Sequence, residues 1–341
     1  MNKTILVTGG AGYIGSHTIV QLVKNGFTPI ILDDFSNSSK TVLQNLEQII
    51  NQPITLLEGS ILDFDFLLDF FENNSVDGII HFAAFKAVGE SVALPMKYYE
   101  NNISGLINIL KVCEKFKVKN FVFSSSCTVY GEPKGITSVS EETEKQLPTS
   151  PYGYTKWMGE QIIDDVVKSG ANLNAVALRY FNPIGAHPSG LIGELPLGKP
   201  NNLLPFITQT AKGKWEKLTV FGNDYPTPDG TCIRDYLHVM DLAEAHVSAL
   251  NFLFEQTKPC LEYINVGTGK GTSVLEMIQL FEKVTDLKLP YEIGPKRAGD
   301  VTEIFAKADK AKKLLNWEAK LTIEDAIRDA WNWEQQLEKL T

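Results

Sequence analysis

Metal-ligating clusters are missing from this chain of 341 residues. Its four cysteines, Cys113, Cys127, Cys232 and Cys260, stand singly with no C-x-x-C pair, which argues against a zinc cage or a disulfide framework and reads as free thiols. The five histidines are equally scattered and form no H-E-x-x-H, so no metal is expected. No apolar run approaches the roughly 18 residues of a membrane span, and the N-terminus enters a strand-like segment without a signal peptide. A cytoplasmic protein that does not touch membranes is the expectation. A basic surplus is lacking too: 32 Lys and Arg face 41 Asp and Glu, a net charge of −9, and a protein that holds nucleic acid needs clustered cations. The length suits one large or two ordinary domains.

Short apolar runs alternate with segments of helical period through the first half: TILVT at 4–8, PIILDD at 29–34, ITLLEG at 54–59, DGIIHFA at 77–83, NFVFSSS at 120–126 and NAVALRYFN at 174–182. Helices are expected up to about residue 25, near 40–50, 64–73 and 97–116, and from about 150. Continuous apolar strands, each followed by a helix, indicate an α/β fold with a doubly wound parallel sheet covered on both faces. Beyond residue 181 the texture changes, and the proline- and glycine-rich stretch 182–205 leaves the sheet as loops. The expected division is 1–181 for the sheet-bearing domain and 182–341 for a smaller α/β lobe, with room for a strand or helix returned to the first domain.

The string TILVTGGAGYIG places Gly9, Gly12 and Gly15 between a strand and a helix, where glycines allow a tight turn and let backbone approach a pyrophosphate. This is the Rossmann arrangement. The second strand ends in Asp33 and Asp34 with no Arg beside them; an acidic side chain there accepts from both ribose hydroxyls and repels the extra phosphate of NADP, so NAD is favoured.

In SPYGYTKWMGE, Ser150 is a candidate N-cap and Pro151 suits the first helical position. Tyr152 and Lys156 are then neighbours on one face. A free phenol is a poor base at neutral pH, and lowering its pKa by about three units takes roughly 4 kcal/mol of phenolate stabilisation. A Lys ammonium, a cationic nicotinamide ring and the helix N-terminus are suited to supply it. The strand end SSSCTVYG at 124–131 precedes this helix and brings hydroxyls to the carboxyl edge of the sheet, where ligands bind.

In this order the pieces resemble the extended short-chain dehydrogenase/reductase superfamily and, within it, the UDP-glucose 4-epimerase family. The strings that carry the resemblance are TGGAGYIGSHT, HFAAFKAVGES, FSSSCTVYG, SPYGYTKWMGEQI, RYFNPIGAHPSG, PNNLLP, FGNDYPTPDGTCIRDYLHVMDLA and the stretch around Arg297–Asp300, together spanning almost the whole chain. The resemblance implies that Gly9, Gly12, Tyr13, Ile14 and Gly15 hold the NAD pyrophosphate, that Asp33, Asp34, Phe35, Ser36, Asn37 and Ser38 surround the adenosine ribose, and that Ser60 and Ile61 border the adenine. Phe82, Ala83, Ala84, Phe85, Lys86, Asn101, Ser124 and Phe181 would line the nicotinamide half. Tyr152 matches the family's base, Lys156 its partner, and Ser126 the hydroxyl that bonds the reacting sugar oxygen. Asn182, Asn201, Asn202, Leu203 and Phe221 fall where the family grips the sugar nucleotide, with Lys86 beside them. Arg234 and Arg297 match its diphosphate clamp, and Asp300 lies near the uridine ribose. UDP-galactose and UDP-glucose are the implied substrates, in a homodimer.

Two departures stand out. Ser60 occupies a position where the family usually carries an acidic residue, so the adenine loses a charged acceptor. Ile304 replaces the bulkier Tyr of relatives that exclude N-acetylated sugars, which leaves UDP-N-acetylhexosamines open as substrates. A sugar-nucleotide dehydratase on the same scaffold would need carboxylates where Cys127 and Thr128 stand. A uronate epimerase or decarboxylase, or a silent NAD-sensing protein, are more distant readings.

Overall fold

The structure is a computed structural model that describes residues 2–133, 135–296 and 301–340. Its main sheet has seven parallel strands: β1 (Thr4–Thr8), β2 (Thr28–Asp33), β3 (Thr55–Glu58), β4 (Gly78–His81), β5 (Asn120–Ser126), β6 (Asn174–Tyr180) and β7 (Cys260–Val266). They lie in the order β3-β2-β1-β4-β5-β6-β7, so the chain reverses its winding direction between β1 and β4. Side chains alternate between the two faces of each strand, and both faces are covered, so the strands read as unbroken apolar runs. Ile5, Val7, Ile31, Ile80, Val122, Val176 and Leu178 bury one face with Ile19 and Leu22 of the helix Tyr13–Lys24 and Leu242, Leu250 and Leu253 of the helix Val239–Phe254. Leu6, Ile30, Leu32, Ile79, Phe121, Phe123, Ala175 and Ala177 bury the other against the helices Phe64–Asn73, Gly105–Phe116 and Pro151–Lys168.

The second half of the chain is not confined to one side of this sheet. Its helix Val239–Phe254 covers one face, and β7 extends the sheet beside β6 through the full register Cys260–Asn174 to Val266–Tyr180. In the other direction, the short strand Ser138–Val139 from the first half pairs with Glu303–Ala306 in a small sheet that also holds Ile233–Arg234 and Thr272–Ser273. Residues 182–184 pair with 236–238, and Leu218–Phe221 with Tyr291–Gly294. A separate core of Ile184, Leu204, Ile207, Leu218, Val220, Met277, Phe281 and Ile327 holds the lobe that contains these pairs.

The helical segment expected near 97–116 starts differently. A short helix Pro95–Tyr99 leads into a π-helical turn, Glu100–Ser104, before the α-helix Gly105–Phe116. The wider turn presents Asn101 and Asn102 toward the strand ends, and π-turns recur at functional sites for that reason. Among the described residues no helix is long and apolar enough to cross a membrane.

Leu250 is fully buried between its helix and the sheet. Leu250→Ala is expected to lower the unfolding free energy by about 2–5 kcal/mol in a denaturant titration. A loss below about 1 kcal/mol would mean that this helix does not seal the sheet face.

Candidate active site

Five neighbouring strands, in the order β2, β1, β4, β5, β6, end on one edge, and the chain departing from each end carries a candidate residue: Asp33, Gly9, Phe82, Ser126 and Phe181. The crevice between β1 and β4, where the winding reverses, is the natural ligand position in such a sheet. Gly9 stands at its mouth with φ +69°, and a Cβ there would lie 2.8 Å from the Ala83 nitrogen. At Gly15 a Cβ would come within 2.3 Å of the Gly9 carbonyl oxygen. Both positions therefore require glycine. The helix Tyr13–Lys24 starts from Gly12 with no side chain capping its first turn, which leaves N–H donors and the positive end of the dipole facing the crevice.

Asp33 is buried, and its carboxylate organises the loop around it. Oδ2 accepts from Ala11 N at 3.0 Å, while Oδ1 accepts from Phe35 N at 2.9 Å and the Ser38 hydroxyl at 2.8 Å. Burial raises its pKa above the usual carboxylate value while these donors oppose the shift. Phe35 adopts φ +56°, and Ser36 donates its N–H to Asp34. Asp34, Ser36 and Asn37 are exposed, so this end of the crevice opens to solvent. Ser60 accepts from Leu62 N, and Ile61 is buried beneath Gly105. Further along, Asn102 pins the loop after β4: its amide accepts from Phe85 N and donates to Phe85 O and the Thr155 hydroxyl, while Asn101 donates to it. Ala84 lies half-buried in that loop.

Ser150 caps the helix Pro151–Lys168 by accepting from Gly153 N, and Pro151 takes the first turn. That start directs Tyr152 and Lys156 into the sheet edge, where they are 8 % and 4 % exposed. Lys156 Nζ donates to Ser124 O at 2.6 Å and lies 5.0 Å from the centre of the Phe123 ring. The Ser124 hydroxyl pairs with the Tyr180 phenol at 2.5 Å. Burial, with Tyr180 nearby, drives the Tyr152 phenol well above its ordinary value, and the neighbouring Ser126 hydroxyl pulls the other way. Burial also brings Lys156 down to about 7. From sequence the phenol is expected to be lowered; in the protein alone it is raised. The Lys156 ammonium points at a carbonyl, and desolvation penalises both charged forms.

On the lobe side, Glu194 joins three candidate segments. Its Oε1 accepts from Lys86 Nζ at 2.9 Å and from Asn202 Nδ2 at 2.6 Å, and together with burial it holds the Tyr13 phenol well above the ordinary value. Tyr13 donates to Gly185 O across the cleft. Asn202 precedes the helix Leu203–Ala211, and Asn201 beside it is exposed. Asn182 donates to Asp235 O. The Asp235 carboxylate is buried and accepts from Thr268 N, the Thr268 hydroxyl, Gly269 N and Ala306 N. It thereby fixes the backbone on which the neighbouring Arg234 stands, opposite Ile304. Phe221 is 38 % exposed at the rim. Arg297 and Asp300 lie outside the described residues. Among those described, no group of three His, Cys, Asp or Glu side chains is placed to hold a metal. All four cysteines are free.

Asn102, Glu194 and Asp235 escape a reading of the sequence, because each works chiefly through partners far along the chain, up to 108 residues away for Glu194, and no local spacing marks them. The tandem Arg234-Asp235 is the one local hint.

A family model described as GDP-mannose 4,6 dehydratase matches residues 6–330. The chain is 50 % identical to the UDP-glucose 4-epimerase of Bacillus subtilis over 97 % of its own length and 96 % of that protein's. Among solved structures, the UDP-glucose 4-epimerase of Bifidobacterium longum, in complex with NAD+ and UDP, superimposes with a TM-score of 0.95 at 44 % identity, over 99 % of this chain and all of the other. The UDP-Glc/GlcNAc 4-epimerase of Campylobacter jejuni gives 0.84 at 37 % identity, over 98 % of this chain and 100 % of that one.

Lys156 yields one expectation that needs no ligand. Between its folded value near 7 and the ordinary 10.5, the unfolded chain holds a proton that the folded chain has released. Stability from this group therefore rises with pH through that window and is lowest below it. Lys156→Met is expected to flatten that rise in urea titrations across the window. Equal slopes in the two proteins would contradict the burial of the amine.

Proposed function

The chain belongs to the UDP-glucose 4-epimerase family, and from that membership we propose that it interconverts UDP-galactose and UDP-glucose as an NAD-dependent isomerase. The observation that carries the reading is the buried set of Ser126, Tyr152 and Lys156 on the sheet edge, separated by one intervening strand from a glycine turn that only backbone fills.

The residues present fit NAD. The uncapped helix start at Gly12, with Tyr13, Ile14 and Gly15, would take the pyrophosphate; Asp33 with Phe35 and Ser38 would take the adenosine ribose; Phe82 to Lys86, Asn101, Ser124 and Phe181 would flank the nicotinamide. Bound there, NAD supplies a reversible hydride acceptor and a positive ring. That positive charge, with Lys156, offsets the desolvation that otherwise keeps the Tyr152 phenol protonated.

In the reaction, Tyr152 takes the proton of the sugar 4-hydroxyl while Ser126 holds the same oxygen, and hydride leaves carbon 4. The resulting 4-keto sugar turns about its diphosphate linkage, offers its other face and regains hydride and proton. Such a turn requires the nucleotide to be gripped away from the ring. Arg234 and Arg297 suit the diphosphate, and Asn182, Asn201, Asn202, Leu203, Phe221 and Asp300 the sugar and uridine, so the lobe of 182–341 serves the sugar nucleotide and 1–181 the dinucleotide. Ile304 is 5 % exposed and packs near Phe181, which supports extending the reading to UDP-N-acetylhexosamines.

A dehydratase would need an acid/base group beside Tyr152. Cys127, whose thiol burial pushes up to about 11, and Thr128 offer no carboxylate. We assign the protein to the cytoplasm, in keeping with its free thiols, and to a homodimer, for which the exposed apolar side chains Val88, Val92, Leu94 and Met96 offer a surface.

Tyr152→Phe is expected to slow conversion of UDP-galactose by about 10²–10⁴-fold while the protein still carries NAD. Near wild-type turnover would remove Tyr152 from its role. Gly15→Ala, by contrast, is expected to purify without cofactor; an NAD content equal to wild type would contradict the placement of the pyrophosphate. UDP-N-acetylgalactosamine, offered without added NAD, is expected to be converted, and inertness would confine the enzyme to the plain hexoses.

A further inference from the structure

The helix face that carries Tyr152 and Lys156 carries a third buried side chain one turn further on, Glu160. The Glu160 side chain has no exposed surface and that of its partner Arg179 only 2 %. Oε1 accepts from the Ser125 hydroxyl at 2.6 Å and Arg179 Nε at 2.8 Å, and Oε2 from Arg179 Nη2 at 2.7 Å and Lys145 Nζ at 3.2 Å. A carboxylate removed from water is costly unless its lone pairs are used, and four donors use them here.

The donors come from different parts of the fold. Ser125 lies on β5, Arg179 on β6 and Lys145 on the loop between β5 and the helix. Arg179 continues the network, donating through Nη1 to the Tyr130 phenol, which donates to Asn265 Oδ1 on β7. The Tyr263 ring covers the guanidinium at 4.6 Å. One carboxylate thus ties the helix to the strands from which the reacting edge is built.

Ser125 is flanked by the two serines that meet the other helix residues. Ser124 O receives Lys156, and the Ser126 hydroxyl lies near the Tyr152 phenol. Two consecutive serines of β5, Ser124 through its carbonyl and Ser125 through its hydroxyl, therefore hold Lys156 and Glu160, four residues apart on the helix. A slide of the helix along the strand breaks both contacts together.

We propose that Glu160 is a positioning residue for the epimerase reaction: through Ser125 and Arg179 it fixes the register between the helix Pro151–Lys168 and β5, and so the place of Tyr152 and Lys156 at the reacting hydroxyl. The proposal rests on the roles given to Tyr152 and Lys156 above. Net stability is a poor explanation of the pair, since a buried ion pair often gains nothing over apolar residues of the same volume. A two-pronged guanidinium–carboxylate contact does fix distance and plane together, and small displacements at a reacting centre are expensive in rate.

The test compares Ser125→Ala, which deletes one hydrogen bond and leaves the ion pair, with Glu160→Gln, which keeps the volume and removes the charge. Both are expected to retain NAD and to leave KM for UDP-galactose within about twofold of wild type. The kcat is expected to fall about tenfold in Ser125→Ala and about a hundredfold in Glu160→Gln, and Glu160→Asp, with its carboxylate drawn back by one methylene, is expected not to restore it. Ultraviolet difference titration of the Tyr152 phenol, read in the holoenzyme against Tyr152→Phe, is expected to move upward in both variants. The groups facing that phenol, Ser126, Tyr180, Cys127 and Tyr98, are unchanged in them. Variants that lose only thermal stability, with wild-type kcat and an unmoved titration, would overturn the proposal. Ser125→Ala decides alone if Glu160→Gln fails to fold. The titration needs no sugar, so an inactive wild type would overturn the substrate reading, while an unmoved phenol would overturn the role of Glu160.

Discussion

Two titratable side chains are withdrawn from water at the edge of a parallel sheet, and neither can carry charge there at low cost. Tyr152 is driven up and Lys156 down by the same burial. Everything around them follows from this. The strand carbonyl of Ser124 takes the ammonium, the Ser126 hydroxyl lies near the phenol, and the helix that bears them is fastened to the sheet below by the Glu160 fork. A positive cofactor ring bound beside them would shift the balance toward the phenolate, so that on the proposed reading a base forms only in the loaded enzyme.

The second constraint is that two anionic diphosphates must be held in a chain with a net charge of −9. For the dinucleotide the proposed solution is backbone: a glycine turn and a helix start. For the sugar nucleotide the proposed solution is a small number of placed cations. Glu194 sits where the two halves meet, paired with Lys86 and Asn202, so that the lysine is a held donor and not a loose positive patch. The buried carboxylate of Asp235 plays a comparable part under Arg234, with four donors from two segments of the lobe.

Much of this architecture can be read from residues alone, for a physical reason. Strands buried on both faces become apolar runs, and Ile30-Ile31-Leu32 or Phe121-Val122-Phe123 announces itself whatever lies on either side. The glycine turn and the Ser150-Pro151 helix start are equally local. What local pattern does not carry is partnership at long range. The strand at 260–266, CLEYINV, mixes polar and apolar residues, and nothing in it says that it joins β6, more than 80 residues earlier. The π-turn at 100–104 is invisible because its residues would suit an ordinary helix. Glu160 shares the helical spacing of Tyr152 and Lys156, yet a lone glutamate on a helix reads as a solvated face until Arg179 is seen beneath it.

The central claim is that one buried phenol and one held cofactor invert carbon 4 by removing and returning the same hydride. Conversion of UDP-galactose deuterated at carbon 4, in ordinary water and with no NAD added, measures this most directly. The account predicts UDP-glucose that keeps its deuterium at carbon 4 with no net change in cofactor redox state. Loss of the label to solvent, or a strict demand for added NAD in proportion to product, would contradict it.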